Sequence, residues 1–375
     1  MAFFLTFTNY FKMNKIIYEI LDLIEKNNFE AYIVGGYVRD KILAIDSKDI
    51  DIITNATPKD LFNIFKGNVK LKEEYGAVKI IIDEYRIDIT TYRKDLNYEN
   101  NKPTSVLYIN NVEEDLKRRD FTINTLLMNK EGKIIDLNNS INDISERKIK
   151  VVGDTSERLK EDTTRILRAI RFMVTLDFNL DEEIIDFIVH NKKLLGTISY
   201  YKKKEELSKI FTSHNLKTFV KFIKKYKLEK YLGIKVNNIV KTPNIIGVWA
   251  QIKINNSYPF TNNEKKQINL IKYLVKKKTI TNYDIYKYGV YICSNASIIL
   301  KKSPNKISKL YNSLTIKNKS EINISAKEIC DLLNIKVGPK VGEIYNYLEK
   351  NIINNKINNN KDDIIKFIKK KEKIK

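Results

Sequence analysis

The sequence predicts an α+β fold, with a head in which strands and helices mix and a helical remainder behind it. Short apolar runs of strand character, broken by glycine or polar turns, crowd the first 140 to 150 residues. From Thr155 onward the apolar spacing is helical almost to the end. No stretch of about 18 uncharged apolar residues interrupts either part, so a membrane-spanning helix is not expected and 375 residues suffice for two or more cores.

Residues 13–28 set Ile16, Ile17, Ile20, Leu21 and Ile24 at helical spacing, which predicts an amphipathic helix before the first strand. Ala31-Tyr32-Ile33-Val34 reads as that strand. It ends at Gly35-Gly36, where the backbone can approach a ligand because no Cβ intervenes. Tyr37 to Ala44 is long enough for a short helix whose first turn carries Arg39, so backbone N–H groups and a guanidinium can both face a phosphate. Thirteen residues after the glycines, Asp49-Ile50-Asp51-Ile52-Ile53 alternates with the period of a strand. Both carboxylates then share one face, and Ile50 and Ile52 share the other, towards a core. Two neighbouring carboxylates repel until a hard cation joins them, and Mg²⁺ held by carboxylates and phosphate oxygens is the usual partner.

Thr57-Pro58 opens a helix running through Phe65, with proline at a position where its missing donor costs nothing. Ala77–Ile82 and Tyr85–Tyr92 flank Asp83-Glu84 as a hairpin, and the alternation from Arg86 to Thr90 turns Asp88 towards the metal face of a neighbouring strand. Lys94 to Ser105 is polar and rich in asparagine, which predicts a mobile loop. Residues 361–371 read as one amphipathic helix in a Lys/Asn/Ile tail. A lone Gly-Gly is commonly a turn, and a lone Asp-x-Asp a solvated strand edge. In this order on a strand-turn-helix-strand frame they point to Mg²⁺-dependent phosphate chemistry.

The net charge is +22, and 26 lysines against 10 acidic residues fall in 251–375, a local excess of +16. A polyanion such as RNA is the natural partner for that region, although a chain this rich in Lys, Asn and Ile owes part of the excess to its composition. Cys293 and Cys330 stand far apart without a CxxC, and with two histidines in all there is no zinc spacing, which fits a reducing, cytoplasmic setting. The opening MAFFLTFTNYFK lacks a basic start and a cleavage site, and reads as an extension before Met13 or a weak organelle address rather than a secretory signal. His190 and His214 lie in helical segments and read as structural or surface residues.

Four motifs, in order, resemble the class II tRNA nucleotidyltransferases, the CCA-adding enzymes, and their relatives the bacterial poly(A) polymerases. They are VGGYVRDKIL…DIDI (34–52), RIDITTYR (86–93), DLKRRDFTIN (115–124) and KEDTTRILRAIRF (160–172). The resemblance implies a polymerase-β-like nucleotidyltransferase head over 13–145, a helical neck over 146–215 that reads the base, and a helical, tRNA-binding body and tail over 216–375. It also implies Asp49, Asp51 and Asp88 as catalytic Mg²⁺ ligands in a two-metal site, with Gly35, Gly36 and Arg39 at the triphosphate. Arg118, Arg119, Asp120 and Asn124 then belong at ribose and phosphate, and Asp162 with Arg165 at the base, while Arg168 and Arg171 extend that basic face. Asp162 and Arg165, three apart on a predicted helix, share one face. A carboxylate only accepts and a guanidinium only donates, which suits C and A and refuses U and G without a template strand.

Ala44 stands where the family commonly has glycine, a departure that bears on how the helix ends. Tyr201, Lys202 and Lys203 replace the family's common Glu-Arg-Ile, although Ser199, Glu206 and Leu207 of that last motif remain. The implied reaction is attack of an RNA 3′-hydroxyl on the α-phosphorus of CTP or ATP, with tRNA as acceptor. Within the class, the region around Tyr75 and Gly76 lacks the Gly-Arg/Lys-Arg-Phe element of poly(A) enzymes. The full-length loop with Asp95, Tyr98 and Pro103 favours complete CCA addition over CC-only or A-only addition. An RNA-binding protein with an inactive head is the non-enzymatic rival.

Overall fold

The computed structural model describes residues 14–65, 70–72, 77–82, 85–99 and 101–372. The opening segment, Tyr75-Gly76, Asp83-Glu84 and Asn100 lie outside the described residues. Two compact units emerge, one from the chain up to Ile210 together with Lys221–Leu232, the other from Phe211–Val220 and Gly233 onward.

In the first unit, helix α1 (Lys15–Glu25) is capped by the Asn14 side chain and buries Ile17, Ile20, Leu21 and Ile24. Strand β1 (Ala31–Val34) leads into α2 (Gly36–Ile42), then β2 (Asp49–Thr54) and α3 (Pro58–Ile64), which starts on a Thr57/Asp60 capping box. β3 (Lys70–Lys72), β4 (Ala77–Ile82) and β5 (Tyr85–Thr91) follow. Together with β1, β2 and two short later strands, β8 (Leu127–Met128) and β9 (Ile134–Ile135), they form one seven-stranded sheet in the order β3-β4-β5-β2-β1-β8-β9. Within this sheet β2 and β5 pair in parallel, and their register sets Asp51 beside Asp88. The alternation expected for β2 holds: Asp49 and Asp51 are exposed, Ile50 and Ile52 buried.

The polar segment expected as a loop is instead a hairpin of β6 (Arg93–Glu99) and β7 (Lys102–Tyr108), paired from Arg93↔Tyr108 to Glu99↔Lys102. Neither face of this ribbon is fully buried, so its strands lack the apolar alternation by which sequence betrays a sheet. Asn101, at the turn, adopts the left-handed region that asparagine tolerates.

Helix α4 (Val112–Lys117) precedes β8. After β9 come α5 (Ser140–Ser145) and β10 (Lys148–Ile149), then α6 (Thr155–Glu161) and α7 (Thr164–Thr175). The helical region expected from Thr155 thus begins on that residue. The segment KEDTTR, however, is not one continuous helix. Asp162 ends α6 in an extended conformation (φ −134°, ψ 95°), and α7 restarts at Thr164. An aspartate followed by two β-branched threonines favours such a break, because the short carboxylate competes for nearby backbone N–H groups. β11 (Asn179–Leu180), α8 (Glu182–His190), α9 (Leu194–Thr197) and α10 (Tyr200–Phe211) complete the neck region.

The end of α2 accounts for Ala44. Ala44 N–H donates to Lys41 O and Ile45 N–H to Asp40 O, a Schellman closure that puts Ala44 at φ 55°. The fold needs a left-handed residue here, and alanine adopts it at a cost of about 1 kcal/mol.

The second unit is helical, with its longer helices at Asn262–Lys277, Asn282–Ile299 and Pro339–Ile353. Trp249 packs edge-on against Phe211 and Phe260, with ring centroids 4.8 and 5.1 Å away. Cys293 and Cys330 are both free and buried. The tail helix expected over 361–371 spans Lys361–Glu372. Among the described residues, no helix is long and apolar enough to cross a membrane.

Candidate functional site

The Gly-Gly turn and the carboxylates come together at the end of β1. Gly35 has φ 79°, and a Cβ there would lie 3.6 Å from Arg119 Nη1 and 4.0 Å from Asp51 Oδ2. No ion pair or hydrogen bond ties Asp49 or Asp51 to another described residue. Asp51 has an open surface but stands in a crowd of protein atoms, and this desolvation raises its pKa. The charges of Asp88 and Asp49 push the same way, while those of Arg119 and Arg168 oppose them. Three carboxylates thus feel one another across one sheet face. Asp88 already carries a cation, since Lys79, its cross-strand partner in β4, puts Nζ 3.3 Å from its Oδ2. Among the described residues no three acidic, histidine or cysteine side chains close into a cage. The open, mutually repelling set suits a hard cation that keeps waters and takes phosphate oxygens as further ligands.

Beside this face lies a cavity of about 860 Å³, lined on one side by Arg118, Arg119, Asp120 and Arg168, and on others by Asp162, Arg165, Tyr98 and Tyr201. Arg118 and Arg119 follow the end of α4, and Arg168 stands on α7. Asp115, fully buried at the end of α4, accepts from Arg118 Nε (2.9 Å), Arg119 Nη2 (3.4 Å) and the Arg93 N–H (3.0 Å). Asp115 was not foreseen as part of the site, although its i,i+3 and i,i+4 spacing to the two arginines was a usable signal. Arg119 keeps a buried Nε without a hydrogen-bond partner among the described residues, and burial lowers its pKa.

Asp120 is tied three ways: Arg168 Nε donates to it at 2.8 Å, Asn124 Nδ2 at 3.0 Å and the Phe121 N–H at 2.8 Å. Burial alone would raise its pKa, but the charge of Arg168 and these hydrogen bonds outweigh it and hold the carboxyl well below the usual range. Asn124 in turn accepts from Arg39 Nη1 at 2.6 Å, and Arg39 also binds Asp40. Arg39 is therefore buried and turned towards Asn124 rather than lining the cavity. Arg171 also stays off the wall. Its Nε donates to Glu206 at 2.7 Å, and its guanidinium lies 4.0 Å over the Phe172 ring. Glu206, kept from the last motif, thus anchors α10 to α7.

The base-reading pair does share the cavity, though not through helical spacing. In its extended linker position, Asp162 accepts at Oδ1 from Thr164 N–H (2.9 Å) and Thr164 Oγ1 (2.6 Å), so Oδ2 has no partner among the described residues. Arg165 is buried. Its Nη1 donates to Arg158 O at 2.6 Å, while Nη2 reaches only Tyr98 Oη at 3.4 Å and Arg118 O at 3.5 Å. The Tyr98 ring lies 5.7 Å from that guanidinium, and Asn101 accepts from Thr163 N–H at 2.8 Å. The hairpin tip is thus docked on the linker that carries Asp162. His190 and His214, by contrast, are exposed.

Comparison with known proteins bears on this arrangement. The family described as Poly A polymerase head domain matches residues 31–150, and that described as tRNA nucleotidyltransferase domain 2 matches residues 251–368. The chain is 30% identical to the CCA-adding enzyme of Streptococcus uberis, over 94% of this chain and 95% of that protein. It is 32% identical to the CCA-adding enzyme of Ligilactobacillus salivarius, again over 94% and 95%. In fold it is similar to the crystal structure of the Bacillus stearothermophilus CCA-adding enzyme in complex with CTP, with TM-score 0.85, 24% identity, and coverage of 96% of this chain and 99% of that one.

Proposed function

The chain belongs to the CCA-adding enzyme family and is a nucleotidyltransferase, and from that premise we propose that it adds CCA to the 3′ end of tRNA from CTP and ATP, without a template strand. The observation that carries the reading is the Oδ2 of Asp162, without a partner among the described residues, in one cavity with the loosely held Nη2 of Arg165 and with Arg118, Arg119 and Arg168. Asp162 would accept from the exocyclic amino group of C or A, and Arg165 would donate to the adjacent ring acceptor. Uracil and guanine offer the reverse pattern and leave buried groups unpaired, which is costly.

The proposed division is a head over 13–145, a neck over 146–215 and a tRNA-binding body and tail over 216–375, the last supported by its lysine excess. The setting proposed is cytoplasmic, consistent with two free, buried thiols.

Enzymes of this kind typically use divalent metals, and Mg²⁺ is the ion proposed for Asp49, Asp51 and Asp88. When bound, it would lower the pKa of the attacking 3′-hydroxyl and neutralise the triphosphate in the manner of a two-metal site. Arg118, Arg119 and Arg168 would align the triphosphate, and Arg119, with an unused buried donor, is the one best placed to turn to it. Asp120 accepts from Arg168 and fixes that guanidinium on the wall, and its carboxylate can also receive a ribose hydroxyl. Gly35 and Gly36 keep the turn close to Asp51, and Arg39 steadies Asn124 and through it Asp120. Arg171 acts as a brace to α10.

The test is to incubate the protein with tRNA transcripts lacking the terminal CCA, giving CTP, ATP or both, and to read product lengths. Addition of C, C, then A with a stop supports the proposal. A long A tail or a stop after CC selects a rival activity, and RNA binding without incorporation selects the non-catalytic one.

A further inference from the structure

We propose that Tyr201 is the platform on which the last base of the acceptor RNA stacks, an inference that rests on the function proposed above. Tyr201 is the second residue of α10, which starts behind Ser199, whose Oγ accepts the Lys202 N–H at 3.3 Å. Its ring is 69% exposed, the highest value for any aromatic side chain among the described residues, yet it belongs to the wall of the catalytic cavity. A large apolar ring left mostly in water at the mouth of a polar, arginine-lined cavity buries little in the free protein, so further favourable burial is available to a ligand.

The other candidate platform is already in use. The Tyr98 ring lies over Arg165, and its hydroxyl donates to Asp95 at 2.9 Å. Lys202 is tied to Glu205 at 2.9 Å, so it adds positive charge to the rim rather than a free donor.

The chemistry of the reaction asks for such a surface. In CCA addition the terminal base that the enzyme must hold is first the tRNA's own last base, of any identity, and then C. Stacking tolerates that change because every base has a π face, whereas hydrogen-bond readout does not. The incoming base has Asp162 and Arg165 to select it. The terminal base needs a contact blind to sequence, and Tyr201 supplies one. Tyr201 also stands where the family commonly has another residue, so the platform is a property of this chain.

Two measurements test it. In steady-state assays with CCA-less tRNA, Tyr201→Ala should raise KM for the acceptor roughly 5- to 150-fold, as the loss of one stacked base implies, with KM for CTP unchanged. Tyr201→Phe and Tyr201→Trp should restore it, since the ring and not the hydroxyl does the work. An unchanged acceptor KM in Tyr201→Ala overturns the proposal, and so does a rise in KM for CTP instead, which would assign the ring to the nucleotide. The second measurement needs no catalysis. The full chain should bind an acceptor-stem hairpin with an unpaired 3′ base more tightly than a blunt one, and Tyr201→Ala should lose that preference; equal binding by the wild type overturns the platform. A wild type that binds the overhang but incorporates nothing overturns the CCA-adding reading and leaves the platform standing.

Discussion

The two sides of the catalytic region treat their charges in opposite ways. On the sheet face, Asp49 and Asp51 are exposed and without partners among the described residues, and the mutual repulsion of the three carboxylates helps raise the pKa of Asp51. On the arginine wall the charges are spent within the protein, Arg168 on Asp120, and Arg118 and Arg119 on the buried Asp115. A carboxylate without a partner stores unfavourable energy that a cation relieves, so that face is built for a ligand. The wall is built to hold shape, because each guanidinium is fixed before substrate arrives and loses little freedom when it binds.

If this division is right, substitutions on the face should remove activity and spare stability, whereas those on the wall should lower both. Asp49→Ala or Asp51→Ala should lower nucleotide incorporation by at least about 10²-fold while the thermal midpoint and tRNA affinity hold; more than a few per cent of activity in the double variant would break the metal assignment. Arg168→Met should cost about 3 kcal/mol by denaturant unfolding, the low end for a buried pair, since Arg168 is 36% exposed and Asn124 still serves Asp120.

That second loss also has a pH signature. Asp120 has its folded pKa depressed, so its contribution is full above the unfolded value of about 4 and fades as pH falls through the folded one. The gap between wild type and Arg168→Met should therefore narrow progressively as pH falls below about 4, and a gap that stayed constant would disconnect Asp120 from the effect.

Asp162→Ala lies between the two regimes. It should relax rejection of UTP and GTP by about 1–3 kcal/mol, read as the ratio of kcat/KM values, and unchanged rejection would count against base reading by this residue. The smallest expected effect belongs to neither side. Ala44→Gly relieves a left-handed alanine and should stabilise the protein by about 0.5–1 kcal/mol with no change in kcat/KM. A change in activity there would show that the end of α2 is coupled to the carboxylate face.

Much of this was legible beforehand because it depends on near neighbours. The period of two in Asp49-Ile50-Asp51-Ile52 is enough to sort carboxylates from core residues, and Gly35 could be read as a turn because other residues rarely adopt its φ. The hairpin of β6 and β7 was not legible, since its stability comes from its own backbone ladder and from Asn101 and Tyr98 docking on residues some 65 positions later. Asp162 was assigned to a helix on spacing alone, whereas its own carboxylate takes the Thr164 N–H and breaks that helix.

By itself the sequence determined strands β1, β2, β4 and β5 and the face that carries the carboxylates, because local periodicity sets both, and its motifs carry the family resemblance. Only the tertiary structure decided how the charges are shared. Asp120 meets Arg168 across 48 residues, and Asn124 meets Arg39 across 85. Whether an arginine faces substrate or braces the fold depends on what the closed chain sets against it, and neither its own segment nor its neighbours in sequence contain that information.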